Sequence, residues 1–155
     1  MSENTDIRGV LIGVTGARLL LPNATVSEVI TFSMPESVPN APDWLIGRIR
    51  WRGWRVPLIS FARMAGLAEK EGELGAKVVV LKALGGNQRH SFFAILTQGF
   101  PRLVTVSESQ LEPDLEAGSP PEGVLMSVKL RDERAFIPDL NRIESLIVLA
   151  LEQAA

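Results

Sequence analysis

Cysteine is missing altogether from the 155 residues, histidine occurs once, and no apolar run is long. The first absence excludes disulfides, thiolate metal sites and cysteine nucleophiles, and it fits a reducing compartment. The second leaves His90 without a partner at HxH or HExxH spacing, so neither a histidine metal site nor a Ser-His-Asp arrangement is expected. The longest apolar stretch near the end, Leu146 to Leu151, falls far short of the roughly 20 residues that span a bilayer. A surplus of one charge is missing too: 16 Lys and Arg stand against 18 Asp and Glu, a formal charge of -2. General nucleic-acid binders carry a strong basic excess, so the balance argues against that class without excluding a local basic patch. The opening residues place Glu3 and Asp6 before any base, the reverse of a secretory n-region. A cytoplasmic protein without membrane insertion, long enough to bury its own core as one domain, is expected.

What is present is a series of short β-prone segments between Gly and Pro turns. Val10, Ile12 and Val14 alternate with other residues, turn chemistry follows at Thr15-Gly16-Ala17-Arg18, and Leu19-Leu20-Leu21-Pro22 completes a hairpin. Thr25 to Phe32 is β-branched and alternating, with a short helical turn capped by Asn23 at its start. Met34 to Asp43 holds three prolines and reads as a stiff loop. A second hairpin turns at Arg52-Gly53 and runs on to Phe61. Ala62 to Ala68 suits a short helix, and Glu69 to Gly75 a charged loop. Lys77 to Leu84 and His90 to Thr97 are strands around the Gly85-Gly86-Asn87-Gln88 turn. That glycine pair lacks the following helix a phosphate loop needs. Leu103 to Val106 is a further short strand, and Glu112 to Gly123 is a loop whose acids read as solvated. Val124 to Leu130 and Ala135 to Ile137 form a last hairpin. Asp139 then caps a helix with Leu140, Ile143, Leu146, Ile147 and Ala150 on one face. Strands of this kind predict a mainly β architecture of small barrels or a sandwich.

The stretch Gly47 to Pro57, GRIRWRGWRVP, stands apart. Strand alternation puts Ile46, Arg48, Arg50 and Arg52 on one side and Leu45, Gly47, Ile49 and Trp51 on the other, which is free to face a core. Three readings remain open. Arginines interleaved with tryptophans suit single-stranded nucleic acid. They equally suit a protein-protein hot spot, where Arg forks and Trp buries area. The purely structural reading makes Trp51 and Trp54 core and the arginines solubilising.

At this stretch the sequence resembles the CheW family of chemotaxis coupling proteins. The matching order is a proline loop (Val38 to Gly47), a strand ending in Arg52-Gly53, and the Pro57-containing strand Trp54 to Ile59. Val26-Ser27-Glu28-Val29-Ile30, Val78 to Leu81, Phe93 to Phe100 and Ile137-Pro138-Asp139-Leu140 resemble further family segments. The resemblance implies a fold of two packed five-stranded barrels, each like a Src-homology-3 barrel, with a C-terminal helix. The halves would be 24–68 and 76–138, within one domain of residues 1–155, completed by the N-terminal hairpin and the helix. It implies no catalysis and no cofactor. It implies an adaptor that bridges the cytoplasmic tip of a chemoreceptor (a methyl-accepting chemotaxis protein) to a CheA-type histidine kinase at membrane-associated arrays. By the same analogy Val26, Glu28, Gly47, Arg52, Gly53, Phe100 and Leu103 lie at the receptor groove. Arg52 would pair with a receptor acid or bond backbone carbonyls that keep the groove open. Ser60 and Gln98 replace the family's usual Asp, and Arg48, Arg50 and Trp51 replace small or polar residues, which makes these three candidates for partner specificity. The finer resemblance is to the ChpC type of accessory coupling protein in the chemosensory system that controls type IV pili and twitching motility.

Overall fold

The structure is a computed structural model that describes residues 6–68, 76–85, 90–116 and 118–154. The expected loops over 69–75 and 86–88 lie outside the described residues. Eleven strands and two α-helices are described. The strands are β1 (Ile7–Val14), β2 (Ala17–Pro22), β3 (Val26–Thr31), β4 (Leu45–Trp51), β5 (Trp54–Ile59), β6 (Ala76–Lys82), β7 (Phe92–Gln98), β8 (Arg102–Val106), β9 (Leu111–Pro113), β10 (Val124–Leu130) and β11 (Glu133–Pro138). Helix α1 is Phe61–Met64 and α2 is Leu140–Ala154. The fold is mainly β, with a helix at its C-terminal end.

Two sheets form, in the orders β3-β6-β7-β5-β4 and β8-β1-β2-β11-β10-β9. The stretches 24–68 and 76–138 are therefore not the two halves. The five-stranded sheet takes β6 and β7 from the later stretch, and the other sheet adds the N-terminal hairpin to β8–β11. That second sheet has six strands rather than five, because the loop expected at 112–123 begins with the short β9. The parallel contacts Leu58↔Ala94 and Phe136↔Leu19 explain the exchange. Parallel neighbours cannot be joined by a tight turn, so each sheet must recruit strands distant in sequence.

Burial is organised in three apolar clusters. One lies within the five-stranded sheet's curve and holds Ile49, Trp51, Val56, Leu58, Val78, Val80, Ala94 and Leu96. A second occupies the six-stranded sheet and holds Leu11, Leu20, Val106, Val128 and Leu130. The third and largest sits between the sheets and under α2, with Val10, Ile12, Leu19, Leu21, Val79, Leu81, Phe93, Ile95, Ile143 and Ile147. Successive residues of β1, β2, β6 and β7 thus enter different cores, which is why these strands read as nearly unbroken apolar runs. Helix α2 buries Ile143, Ile147, Ala150 and Leu151, with Leu140 and Leu146 packed beside them. Its start is fixed by Asp139, whose carboxylate accepts from the Arg142 amide at 3.1 Å. The turn before β3 is held differently from expectation: the Thr25 hydroxyl donates to the Pro22 carbonyl at 2.6 Å, and Asn23 makes no side-chain cap. The second hairpin ends at Ile59, because Ser60 caps α1, accepting from the Arg63 amide at 3.2 Å. Ser60 therefore performs a capping task for which Ser and Asp are equally suited.

Candidate functional site

The β4–β5 hairpin carries the sequence's most unusual residues, and its turn is set by the backbone. Trp51 pairs with Trp54, leaving Arg52 and Gly53 as a two-residue loop with φ of 49° and 81°. Positive φ at both central positions defines the type I′ turn, whose twist matches that of paired strands. Gly53 adopts it without cost. Arg52 adopts it against the preference of a side-chain-bearing residue, about 1 kcal/mol.

Interactions across the sheet hold Arg52 there. Strands β3 and β4 are the two edges of the five-stranded sheet. Glu28 on β3 bridges them: one carboxylate oxygen accepts from the Trp51 indole N–H at 2.8 Å, the other from Arg52 Nη2 at 2.7 Å. The guanidinium also lies 5.1 Å from the centroid of the Trp51 ring. The indole bond first, and the guanidinium bond second, hold the Glu28 carboxyl below its ordinary range. Trp51 meets Phe92 edge-on at 4.9 Å, and Phe92 meets Trp54 at 5.2 Å. Trp51 is 8% exposed and Trp54 39%, so Trp51 is core as the structural reading had it and Trp54 is not. Arg52 is thus engaged within its own chain, a third arrangement beside the two expected for it.

The predicted face assignment of β4 holds from Gly47 onward and fails before it. A register shift between Leu45 and Gly47 lets Ile46 pack into the barrel's interior with Ile49 and Trp51, while Leu45 turns to the cluster between the sheets. One extra residue in a strand reverses the facing of all that precedes it. Arg48 and Arg50 do lie on the outer face, opposite Pro57 and Arg55. Arg55 forms an ion pair with Glu36 at 3.1 Å.

Gly47 lies further back along β4, where the proline loop crosses it. Arg48 and Glu36 exchange two backbone hydrogen bonds of 2.8 Å. Val26 begins β3 and packs against the cluster between the sheets; a second register shift, between Val26 and Glu28, sends these two side chains different ways. Phe100 and Leu103 belong to the β7–β8 connection and to β8, in the other sheet, and are 76% and 73% exposed. Lys77 Nζ stands 4.7 Å from the Phe100 ring centroid, and the buried Thr97 hydroxyl, 3.1 Å from the Gly99 carbonyl, fixes the turn that presents it. The structure thus joins Glu28, Trp51 and Arg52 directly, with Gly53 beside them. Gly47, Val26, Phe100 and Leu103 stand outside that hydrogen-bonded group. Phe92 and Glu36 were not singled out from sequence, because no local pattern marks a contact between residues so far apart in the chain.

Among the described residues no helix is long and apolar enough to cross a membrane. The CheW-like domain family matches residues 8–147. The chain belongs to the CheW-like family. A crystal structure of the scaffolding protein TtCheW from Thermoanaerobacter tengcongensis shares the fold, with a TM-score of 0.73 and 17% identity over 89% of this chain and 87% of that one. No curated protein matches the sequence. The CheW-like family is non-catalytic, and this member is accordingly not an enzyme.

Proposed function

We propose that this CheW-like chain is an adaptor in chemosensory signalling that couples the cytoplasmic tip of a chemoreceptor to a CheA-type histidine kinase. Its receptor-facing surface includes Glu28, Arg52 and Gly53, with Val26 and Gly47 behind them and Phe100 and Leu103 on the second sheet. The observation that carries this reading is the Glu28–Arg52 pair. Two residues assigned to one groove by family resemblance, from strands far apart in sequence, are hydrogen-bonded at an exposed tip. Exposed Phe100 and Leu103 add the apolar area that an amphipathic helix needs in order to dock. The kinase would sit on the five-stranded barrel, and Arg48, Arg50 and Trp51 would tune which partner is accepted. The output we favour is control of type IV pili, in the cytoplasm at membrane-associated arrays.

The nucleic-acid reading loses ground, because Arg52 and Arg55 are each neutralised by a glutamate of the same chain. Affinity purification of the tagged protein from its native cell tests the adaptor reading. A chemoreceptor and a histidine kinase should be recovered together, and the chemoreceptor should fall away when Arg52 is replaced by Ala if the tip mediates docking. Recovery of neither from wild type sinks the reading. An associated pilus motor defect in a deletion strain separates pilus from flagellar output.

A further inference from the structure

Strands β5 and β7 run parallel but pair at only two positions, Leu58↔Ala94 and Ile59↔Ile95. Ahead of those pairs, at Pro57 and Phe92, the ladder stops. Pro57 has no N–H to leave unpaired there. Helix α2 closes the gap. Its buried stripe (Ile143, Ile147, Ala150, Leu151) enters the central cluster. A second stripe at i, i+4 and i+7, made of Ser145, Leu149 and Glu152, lines the gap instead. The result is a cavity of about 480 Å³ whose apolar walls include Pro57, Phe92, Leu146 and the half-exposed Leu149. Its volume and mostly apolar lining are those of small-molecule sites, where a few polar groups set orientation. Carboxylates outweigh available cations among those groups. The cavity's one guanidinium, Arg142, is already engaged by Glu122 at 2.8 Å. Glu144 is fixed in place: one carboxylate oxygen accepts from the Leu84 amide, and the other would lie 2.9 Å from a Cβ at Gly85. Glu152 has no partner among the described residues.

We propose that this cavity between α2 and the β5–β7 seam is a binding site for a small amphipathic cation, an aromatic or branched apolar body carrying one protonated amine. The body lies against Phe92, Pro57 and Leu149, and the ammonium group sits with Glu152 and Glu144. An acid of the same shape would meet two carboxylates with the cavity's guanidinium already spent. None of the residues assigned to receptor docking lines this cavity, so the site stands independently of the adaptor reading. Phe92 lines the cavity and also meets Trp51 and Trp54, so an occupant should be registered at the indoles.

The test is an NMR titration of the full chain with three probes that share one body: 2-phenylethylamine, 2-phenylethanol and 3-phenylpropanoate. The amine should shift the amide signals of α2 from Glu144 to Glu152 and the Trp54 indole N–H, saturating at about millimolar concentration as suits so small a molecule. The alcohol should bind more weakly and the acid more weakly still. Glu152→Gln removes an exposed charge, so it should weaken the amine about two- to fivefold and leave the alcohol as it was. Ser145 spends its hydroxyl on the Asn141 carbonyl of its own helix, so Ser145→Phe can fill the cavity at little cost to the fold. It should lower the affinity for amine and alcohol alike by about tenfold or more. The proposal falls if wild type binds none of the probes, or if the alcohol or the acid binds as tightly as the amine. It falls equally if Glu152→Gln binds the amine as wild type does, since the shifts would then mark general attraction to an acidic protein. Unchanged binding by a folded Ser145→Phe places the probes elsewhere and also overturns it. Should that variant not fold, Leu149→Ala takes its place: it removes one wall and should weaken amine and alcohol together, and wild-type affinity for both overturns the site.

Discussion

A Cβ added at Gly47 would lie 2.4 Å from the Glu36 carbonyl oxygen and 3.0 Å from the Pro35 Cβ. These are backbone and ring atoms that cannot swing aside. Gly47→Ala should therefore lift the 35–36 segment off β4 and cost roughly 1–3 kcal/mol, as overpacking does. Urea denaturation measures the loss, and faster hydrogen exchange at the Glu36 and Arg48 amides locates it; an unchanged midpoint would mean the segment yields freely. Gly47 is explained by this crossing, whatever else docks nearby. Arg52 presents the opposite case, a residue whose backbone would prefer a different side chain. Arg52→Asn suits the turn better and loses an exposed ion pair of small worth, so its stability should stay within about 1 kcal/mol of wild type. A larger loss in thermal melts would show that the guanidinium is structural. For Glu28, the lowered carboxyl range in the folded state fixes a sign. Its contribution to stability is present above the unfolded carboxyl's titration and is lost as pH falls through the folded one. Glu28→Gln should accordingly flatten part of the acid limb of a melting-temperature profile, with the neutral limb keeping its shape; an acid limb parallel to wild type would contradict the assignment.

The elements divide by how local their causes are. The hairpins at Gly16, Arg52-Gly53 and Arg131-Asp132, and the Asp139-capped helix, were legible because turn chemistry and the 3.6-residue period are written in neighbouring residues. The bulges in β3 and β4 were not. Nothing local at Leu45-Ile46-Gly47 or Val26-Ser27-Glu28 announces an extra residue, since the shift is decided by which core each side chain enters. Helix α2 offers the cleanest energetic comparison. Asp139→Ala removes one cap and should cost about 1 kcal/mol. Ile143→Ala empties a fully buried site in the central cluster and should cost roughly 2–5 kcal/mol. Equal losses for the two in chemical denaturation would show that α2 is held by its end rather than by its face.

At the scale of the molecule, the central cluster joins both sheets and α2, so the fold should behave as one cooperative unit. Ending the chain after Asp139 would take Ile143, Ile147, Ala150 and Leu151 out of the central cluster. Such a chain is expected to lose its cooperative melt and to bind a hydrophobic dye, whereas a retained sharp transition would mean the sheets suffice by themselves. Family membership and the mainly β class were within reach of the sequence, because the Pro-loop, Arg-Gly turn and Pro strand are contiguous. The halves were not, because β5–β7 and β2–β11 are parallel pairings between distant segments. The basic and aromatic stretch from Gly47 to Pro57 shows the same division. Its amino acids by themselves determined a hairpin, a tight turn at Arg52-Gly53 and an inward Trp51, all consequences of period-two geometry and backbone preference. Tertiary structure alone decided that Glu28 would reach across from the opposite edge to hold Trp51 and Arg52, and that Phe92 would prop Trp54 half in water. Closing a sheet upon itself brings together edges that sequence distance keeps apart, and that closure is fixed by packing rather than by any local residue pattern.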